Sequence, residues 1–225
     1  MTEIQTAGGI RCRLIRSNRR TLAIAVQPDG EAVARAPMGM PENEIEAFLN
    51  QKEAWIAAKQ AQARANAPVA FALADGAELP WLGATLRLRM CGVPMCIDFD
   101  GALLTPNQGD AAAHIRAWRR QRACEVLGGR VRYWAAKTGL EPASVAYTAA
   151  KRRWGSMSRD RALRLNAALL HCPMELCDYV IVHELAHMAH ANHSPAFHAL
   201  VREILPGADA LRARMRGYGA MTGLF

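Results

Sequence analysis

The 225-residue sequence has no Cys-x-x-Cys pair, and no stretch approaches the roughly 20 consecutive apolar residues of a membrane-spanning helix. The first absence argues against a zinc ribbon, the second against a helical membrane protein. The opening Met1-Thr2-Glu3-Ile4-Gln5 lacks both the basic and the apolar region of a secretory leader, so the expected compartment is the cytosol. In that reducing setting the six cysteines, at 12, 91, 96, 124, 172 and 177, are expected to be buried free thiols and not a disulfide scaffold. There is no internal repeat, no low-complexity tract, and no Asp/Glu cluster of the kind that gathers magnesium around a triphosphate.

What is present is a chain that is 51% hydrophobic, enough for one substantial core, or a core with a smaller satellite. Its formal charge of +8 is uneven. Residues 1–110 carry 11 Lys and Arg against 12 Asp and Glu, whereas residues 111–225 carry 17 against 8. A basic C-terminal half favours an anionic partner such as a nucleotide or nucleic acid, although a solvated basic face is at least as common.

The hydrophobic pattern predicts an α+β protein. Alternating residues from Arg11 to Pro37 predict two strands around a Pro28-Asp29-Gly30 turn. Pro41-Glu42-Asn43-Glu44 opens an amphipathic helix expected to run to Ala65, with Ile45, Phe48, Leu49, Trp55 and Ile56 at helical spacing. Short apolar runs at Ala84–Met90, Cys96–Phe99 and Leu103–Leu104 read as further strands. The polar Asn107-Gln108-Gly109-Asp110 is the expected linker, giving a β-rich module with one long helix over 1–108 and a second domain over 109–225. Ala111 to Thr138 reads as a helix closed by Gly139, with Gly128-Gly129 weakening its middle. Ser144–Thr148 and Ala162–Asn166 read as strands separated by a polar segment around Lys151–Ser156, and the latter strand is expected to offer an edge to an extended peptide.

Pro173 to Ala191 predicts a helix with an almost wholly apolar body, which must be buried. Into it the sequence sets His183-Glu184-Leu185-Ala186-His187, so that two imidazoles project from one face a turn apart. A lone buried histidine is usually a hydrogen-bonded core residue, but two histidines and a glutamate inside an apolar helix are costly to bury without a cation. Catalytic zinc takes three protein ligands and leaves a fourth position to water. His193, just past the expected helix end, is favoured as the third ligand over His190, which would be strained on the same straight helix. Glu184 is then the candidate general base and not a ligand. The spacing equals the metzincin pattern, yet His190 stands where that pattern has its turn glycine.

Further motifs accompany this helix: Arg153-Trp154-Gly155-Ser156, Leu165-Asn166, Asp178 through His187, and Asn192-His193-Ser194-Pro195-Ala196-Phe197. With Arg19-Arg20-Thr21-Leu22, Pro28-Asp29-Gly30 and Trp55-Ile56, they make the chain resemble the YgjP-like family of zinc metallopeptidases, a zincin-like group related in its core to SprT-like proteases. The resemblance implies a zincin-like second domain with a small sheet and an HExxH helix, a Zn2+ cofactor, the ligands His183, His187 and His193, and Glu184 as catalytic base. Met157 and His198 depart from the family's Cys and Trp, which bears on the lining of the pocket.

Around that centre Arg153, Trp154, Asn166 and His198 are the candidate substrate-binding residues, with Lys151, Arg152 and Arg153 expected to border the cleft and hold a phosphate or a peptide carboxylate. The leading expectation is a zinc-dependent hydrolase acting on peptides or proteins. The resemblance also carries a second reading, a nucleoside-triphosphate pyrophosphohydrolase. A third is a nucleic-acid-associated protease or a binder with structural zinc, the latter ranking low because no fourth Cys or His stands at ligand spacing.

Overall fold

The computed structural model describes residues 2–27, 29–65, 71–151 and 153–223. Arg152 of the basic segment and Pro28 of the expected turn therefore lie outside the described residues. The chain divides into two compact units, Met1–Ala67 and Pro68–Phe225.

The first unit holds strands β1 (Thr2–Gln5), β2 (Arg11–Ser17), β3 (Ala23–Val26) and β4 (Ala32–Pro37), then helices α1 (Glu42–Gln51) and α2 (Glu53–Ala65). Its sheet runs β1-β2-β4-β3, with β2 parallel to β4 and β3 antiparallel to it. The Arg11–Pro37 segment, expected to form two strands, forms three: β3 and β4 make the antiparallel hairpin, β2 is an additional strand, and β1 carries no strong sequence signal. The single helix expected to Ala65 is interrupted at Lys52, whose N–H is shared between the carbonyls of Phe48 and Leu49. Ile45, Leu49 and Ile56 nevertheless bury against Cys12, Leu14 and Ala34 in one apolar cluster.

The second unit begins with β5 (Glu78–Trp81), β6 (Ala84–Cys91), β7 (Ile97–Phe99) and β8 (Ala102–Pro106), a mixed sheet in the order β5-β6-β8-β7. The division at Ala67 and Pro68 thus falls well before the polar segment at 107–110 that the sequence suggests as a linker. The cause is packing: Leu79, Leu88 and Leu103 share one apolar core with Ile115, Trp118 and Leu127. Asn107–Asp110 acts as a helix entrance, with the Asp110 carboxylate accepting from the Ala113 N–H at 3.1 Å to cap α3 (Ala111–Thr138). The expected weakness at Gly128-Gly129 does not interrupt α3. A Cβ at Gly128 would lie 3.0 Å from the Tyr147 hydroxyl, so the bare backbone there lets the following sheet approach.

That sheet comprises β9 (Ser144–Thr148), β10 (Gly155–Met157) and β11 (Ala162–Asn166) in the order β10-β11-β9. Strand β11, expected to offer a free edge, is central, pairing antiparallel with β10 and parallel with β9. The edges are instead β9 and β10, the latter formed from residues that read as a polar connection. Beneath the sheet lies α4 (Met174–Ala186), followed by α5 (Pro195–Ile204) and α6 (Ala208–Met215). Ten of the thirteen α4 residues are buried, as an all-round apolar helix requires. The Asp178 carboxylate on α4 accepts from Arg130 Nε at 2.7 Å, Arg130 Nη2 at 2.6 Å and Trp134 Nε1 at 2.9 Å, locking α4 to α3. The cysteines are free thiols: Cys12, Cys96, Cys172 and Cys177 are buried as expected, whereas Cys124 is exposed. Among the described residues no helix is long and apolar enough to cross a membrane.

Candidate metal centre

Helix α4 stops at Ala186, short of the expected Ala191, and this early end builds the site. The N–H groups of His187, Met188 and Ala189 reach back three residues to Glu184, Leu185 and Ala186, a tightened last turn that bends the chain away from the helix axis. Ser194 then caps α5 by accepting from the Phe197 N–H at 3.3 Å, with Pro195 in its first turn. His193 stands immediately before that cap, so two helix ends set its position.

The result brings His183, His187 and His193 together, their ligand nitrogens all within 4.8 Å of one another. His183 Nε2 and His193 Nε2 face each other at 3.0 Å, and the ring centroids are 4.8 to 5.1 Å apart. Ligands bound tetrahedrally at about 2.0–2.1 Å would lie roughly 3.3 Å apart, a spacing that the 3.0 Å His183–His193 pair approaches, so the three rings are gathered closely enough that they could hold one metal ion. His187 Nδ1 lies 3.1 Å from the His190 carbonyl, which accepts its proton and leaves Nε2 as the outward donor. His190 thus serves the site through its backbone, and its ring is outside the cluster. Phe197, fully buried, forms the floor: its ring stacks on His187 at 4.6 Å and meets His183 and His193 edge-on at 4.9 Å.

The electrostatics favour neutral rings at His183 and His193. Burial, reinforced by His187 and His193, pushes His183 down to about 4, and burial likewise lowers His193. Neutral imidazole is the form that binds metal. Glu184 is only 7% exposed, and burial pushes its carboxyl up to about 7 against the opposing pull of the Met157 backbone and Arg153. Its side chain lies against β10 where Gly155 has no Cβ to obstruct it. These groups open onto a cavity of about 770 Å³ whose wall also carries Arg153, Arg159 and Arg161.

The remaining candidates separate. Arg153 lines the cavity, as does Met157, but Trp154 does not and packs partly buried against the main core. Asn166 is buried and lines no part of it; its Nδ2 donates to the carbonyls of Ala150 and Arg153 at 2.7 and 3.1 Å, and its Oδ1 accepts from Ala168 at 3.0 Å. It secures the segment that carries Arg153. The His198 ring stacks beside His193 at a centroid distance of 6.1 Å and is not part of the ligand cluster. Phe197 and Gly155 were visible in sequence as motif members, yet nothing local in the sequence signals that one supports the imidazoles and the other makes room for the carboxylate.

A cluster of side chains that could hold a metal ion, with a carboxylate buried beside it, is in keeping with the metallopeptidase class. The chain belongs to the YgjP-like family, whose model, described as a metallopeptidase domain, matches residues 20–218. Solved structures similar to part of the chain include the metallopeptidase zymogens abylysin of Pyrococcus abyssi and jannalysin of Methanocaldococcus jannaschii. Both are 23% identical over 40% of this chain, covering 90% and 92% of their own, with TM-scores of 0.37 and 0.36. No curated protein matches the chain.

Proposed function

We propose that the protein is a zinc-dependent peptidase in which His183, His187 and His193 hold the ion and Glu184 is the general base. The observation that carries this reading is the convergence of three imidazoles beside a buried carboxylate on the same helix. Zinc held there would supply a Lewis acid that lowers the pKa of water toward about 7 and polarises the carbonyl under attack.

Glu184 accepts a proton from the attacking water and returns it to the leaving amine. A carboxyl raised to about 7 suits both halves of that task, because its affinity for the proton is matched to neutral pH. Gly155 and the Met157 backbone hold the carboxylate in place from the β10 side. Strand β10, the edge strand lining the cavity, offers backbone groups on which an extended peptide can pair. Arg153 stands on the cavity wall near Glu184 and orients carbonyl or carboxylate oxygens of the substrate.

The test compares the native protein with Glu184→Gln at equal zinc content on a denatured protein, a peptide library and nucleoside triphosphates. Peptide cleavage by the native protein, reduced by about 100-fold or more in the variant, is expected. Hydrolysis of triphosphates with no cleavage of any peptide would overturn the peptidase reading.

A further inference from the structure

A second cavity, of about 360 Å³, opens beside the first and is bounded by Thr148, Ala150, Arg153, Gly155, Ser156 and Arg164. Arg153, Gly155 and Ser156 line both, so the two spaces share β10 as a common wall. Arg164 is exposed between the buried Leu163 and Leu165 of β11, which puts it on the sheet face away from the core. Ser156 is its cross-strand partner on β10 and so faces the same way. The second cavity contains no carboxylate on its lining. Among the described residues neither Arg153 nor Arg164 is in an ion pair.

We propose that this second cavity is a substrate subsite for a carboxylate, held by Arg153 and Arg164 with the Ser156 and Thr148 hydroxyls, so that the enzyme selects acidic peptide segments. The inference deepens the peptidase reading and rests on it for the identity of the substrate. A peptide paired along β10 sends alternate side chains to opposite faces of the sheet. One set meets the metal cavity, and the next meets the two arginines. A guanidinium in no ion pair among the described residues, in a concave site, gains a charge-assisted pair when a carboxylate arrives, whereas a neutral amide of the same shape gains less; Arg164 meets this fully, while Arg153 also acts on Glu184 at longer range.

The experiment measures binding of fluorescent peptides to zinc-loaded Glu184→Gln protein, which removes turnover from the readout. Peptides differ by a single Glu or Gln, each made with a free and an amidated C-terminus. The Glu peptide is expected to bind about tenfold tighter than its Gln partner, the size of one charge-assisted contact. Arg164→Ala should bring the two within about twofold, and Arg164→Glu should reverse the order in favour of a Lys peptide. Arg120→Ala, an exposed arginine on α3 lining neither cavity, should leave the preference intact. Sensitivity to amidation in place of the Glu-to-Gln change identifies the chain terminus as the source of the carboxylate. Equal binding of all peptides, or a preference that survives Arg164→Ala, overturns the subsite. Peptide cleavage by the native protein without acidic preference sinks this inference alone. An Arg164-dependent preference in a protein that cleaves no peptide sinks the peptidase reading alone.

Discussion

Gly155 lies directly against the side chain of Glu184: a Cβ at this glycine would stand 2.7 Å from Glu184 Cγ and 2.8 Å from Oε1. Those distances are too short for any side chain, so the edge strand and the helix can meet this closely only through glycine. The contact links a residue of the Arg153-Trp154-Gly155-Ser156 motif to the proposed base, although nearly thirty residues of chain separate them.

Gly155→Ala should therefore displace the Glu184 carboxylate while leaving the imidazoles alone. The expected result is a fall in kcat/KM of about 100-fold, the cost of misplacing a reacting group by about 1 Å. Metal content measured on the same preparation should not change. Full activity in the variant would mean that the Glu184 position does not matter to catalysis.

His193→Ala and His190→Ala provide a matched pair of ligand tests. Removing the His193 ring should weaken zinc binding by more than about 100-fold, because it takes away one of the three proposed donors. The His190 carbonyl that accepts from His187 survives His190→Ala, so zinc affinity there should stay within a few-fold. Competition with a chromogenic chelator reads both, and the opposite ranking would move the third ligand to His190.

Asp178 links α4 to both Arg130 and Trp134, with its side chain 12% exposed and that of Arg130 30% exposed. Asp178→Asn keeps the shape but removes the charge, leaving Arg130 without its carboxylate. Unfolding in urea should show a loss of about 2 kcal/mol, below the range for a wholly buried pair because the arginine reaches water. A midpoint equal to that of the native protein would show that the pair adds nothing.

His171 predicts an acid-sensitive fold. Arg119 Nη1 lies 3.0 Å from its Nε2, and since arginine only donates, Nε2 must accept; Nδ1 then donates to the Pro80 carbonyl at 2.9 Å. The ring is buried neutral, and burial first, with the nearby Arg119 adding to it, pushes it down to about 4. Between about 6.5 and 4 the unfolded chain binds a proton at this residue that the folded chain refuses, so stability falls as the pH is lowered through that window. The slope from this one group approaches about 1.4 kcal/mol per pH unit. His171→Asn keeps a donor for Pro80 and cannot take up the proton, so it should be less stable at pH 8 yet show a shallower loss between pH 6.5 and 4. Denaturation curves with parallel pH slopes for the two proteins would exclude His171 as the source.

Several elements were legible from local pattern alone. The helix Ala111–Thr138 carries its own capping residue and closing glycine, and the strands at 144–148 and 162–166 keep the boundaries their apolar runs suggest. Less legible were β1 and β10, short strands whose existence depends on partners far along the chain. The break at Lys52 and the early end of α4 also escaped, because an apolar pattern can continue past the point where the backbone turns. The polar stretch at 107–110 read as a domain boundary, but it caps a helix whose buried face shares a core with the strands before it.

The sequence by itself determined which side chains could meet a metal, since residues four apart on a helix share a face through backbone geometry that needs no distant contact. Only the tertiary structure decided that His193 folds back to join them, that Phe197 supports the three rings, and that Asn166 steadies the loop bearing Arg153. It also decided that β10 and not β11 forms the edge beside Glu184. Those outcomes rest on the packing of segments far apart in the chain, where the free energy depends on shape and burial among partners that no local window contains.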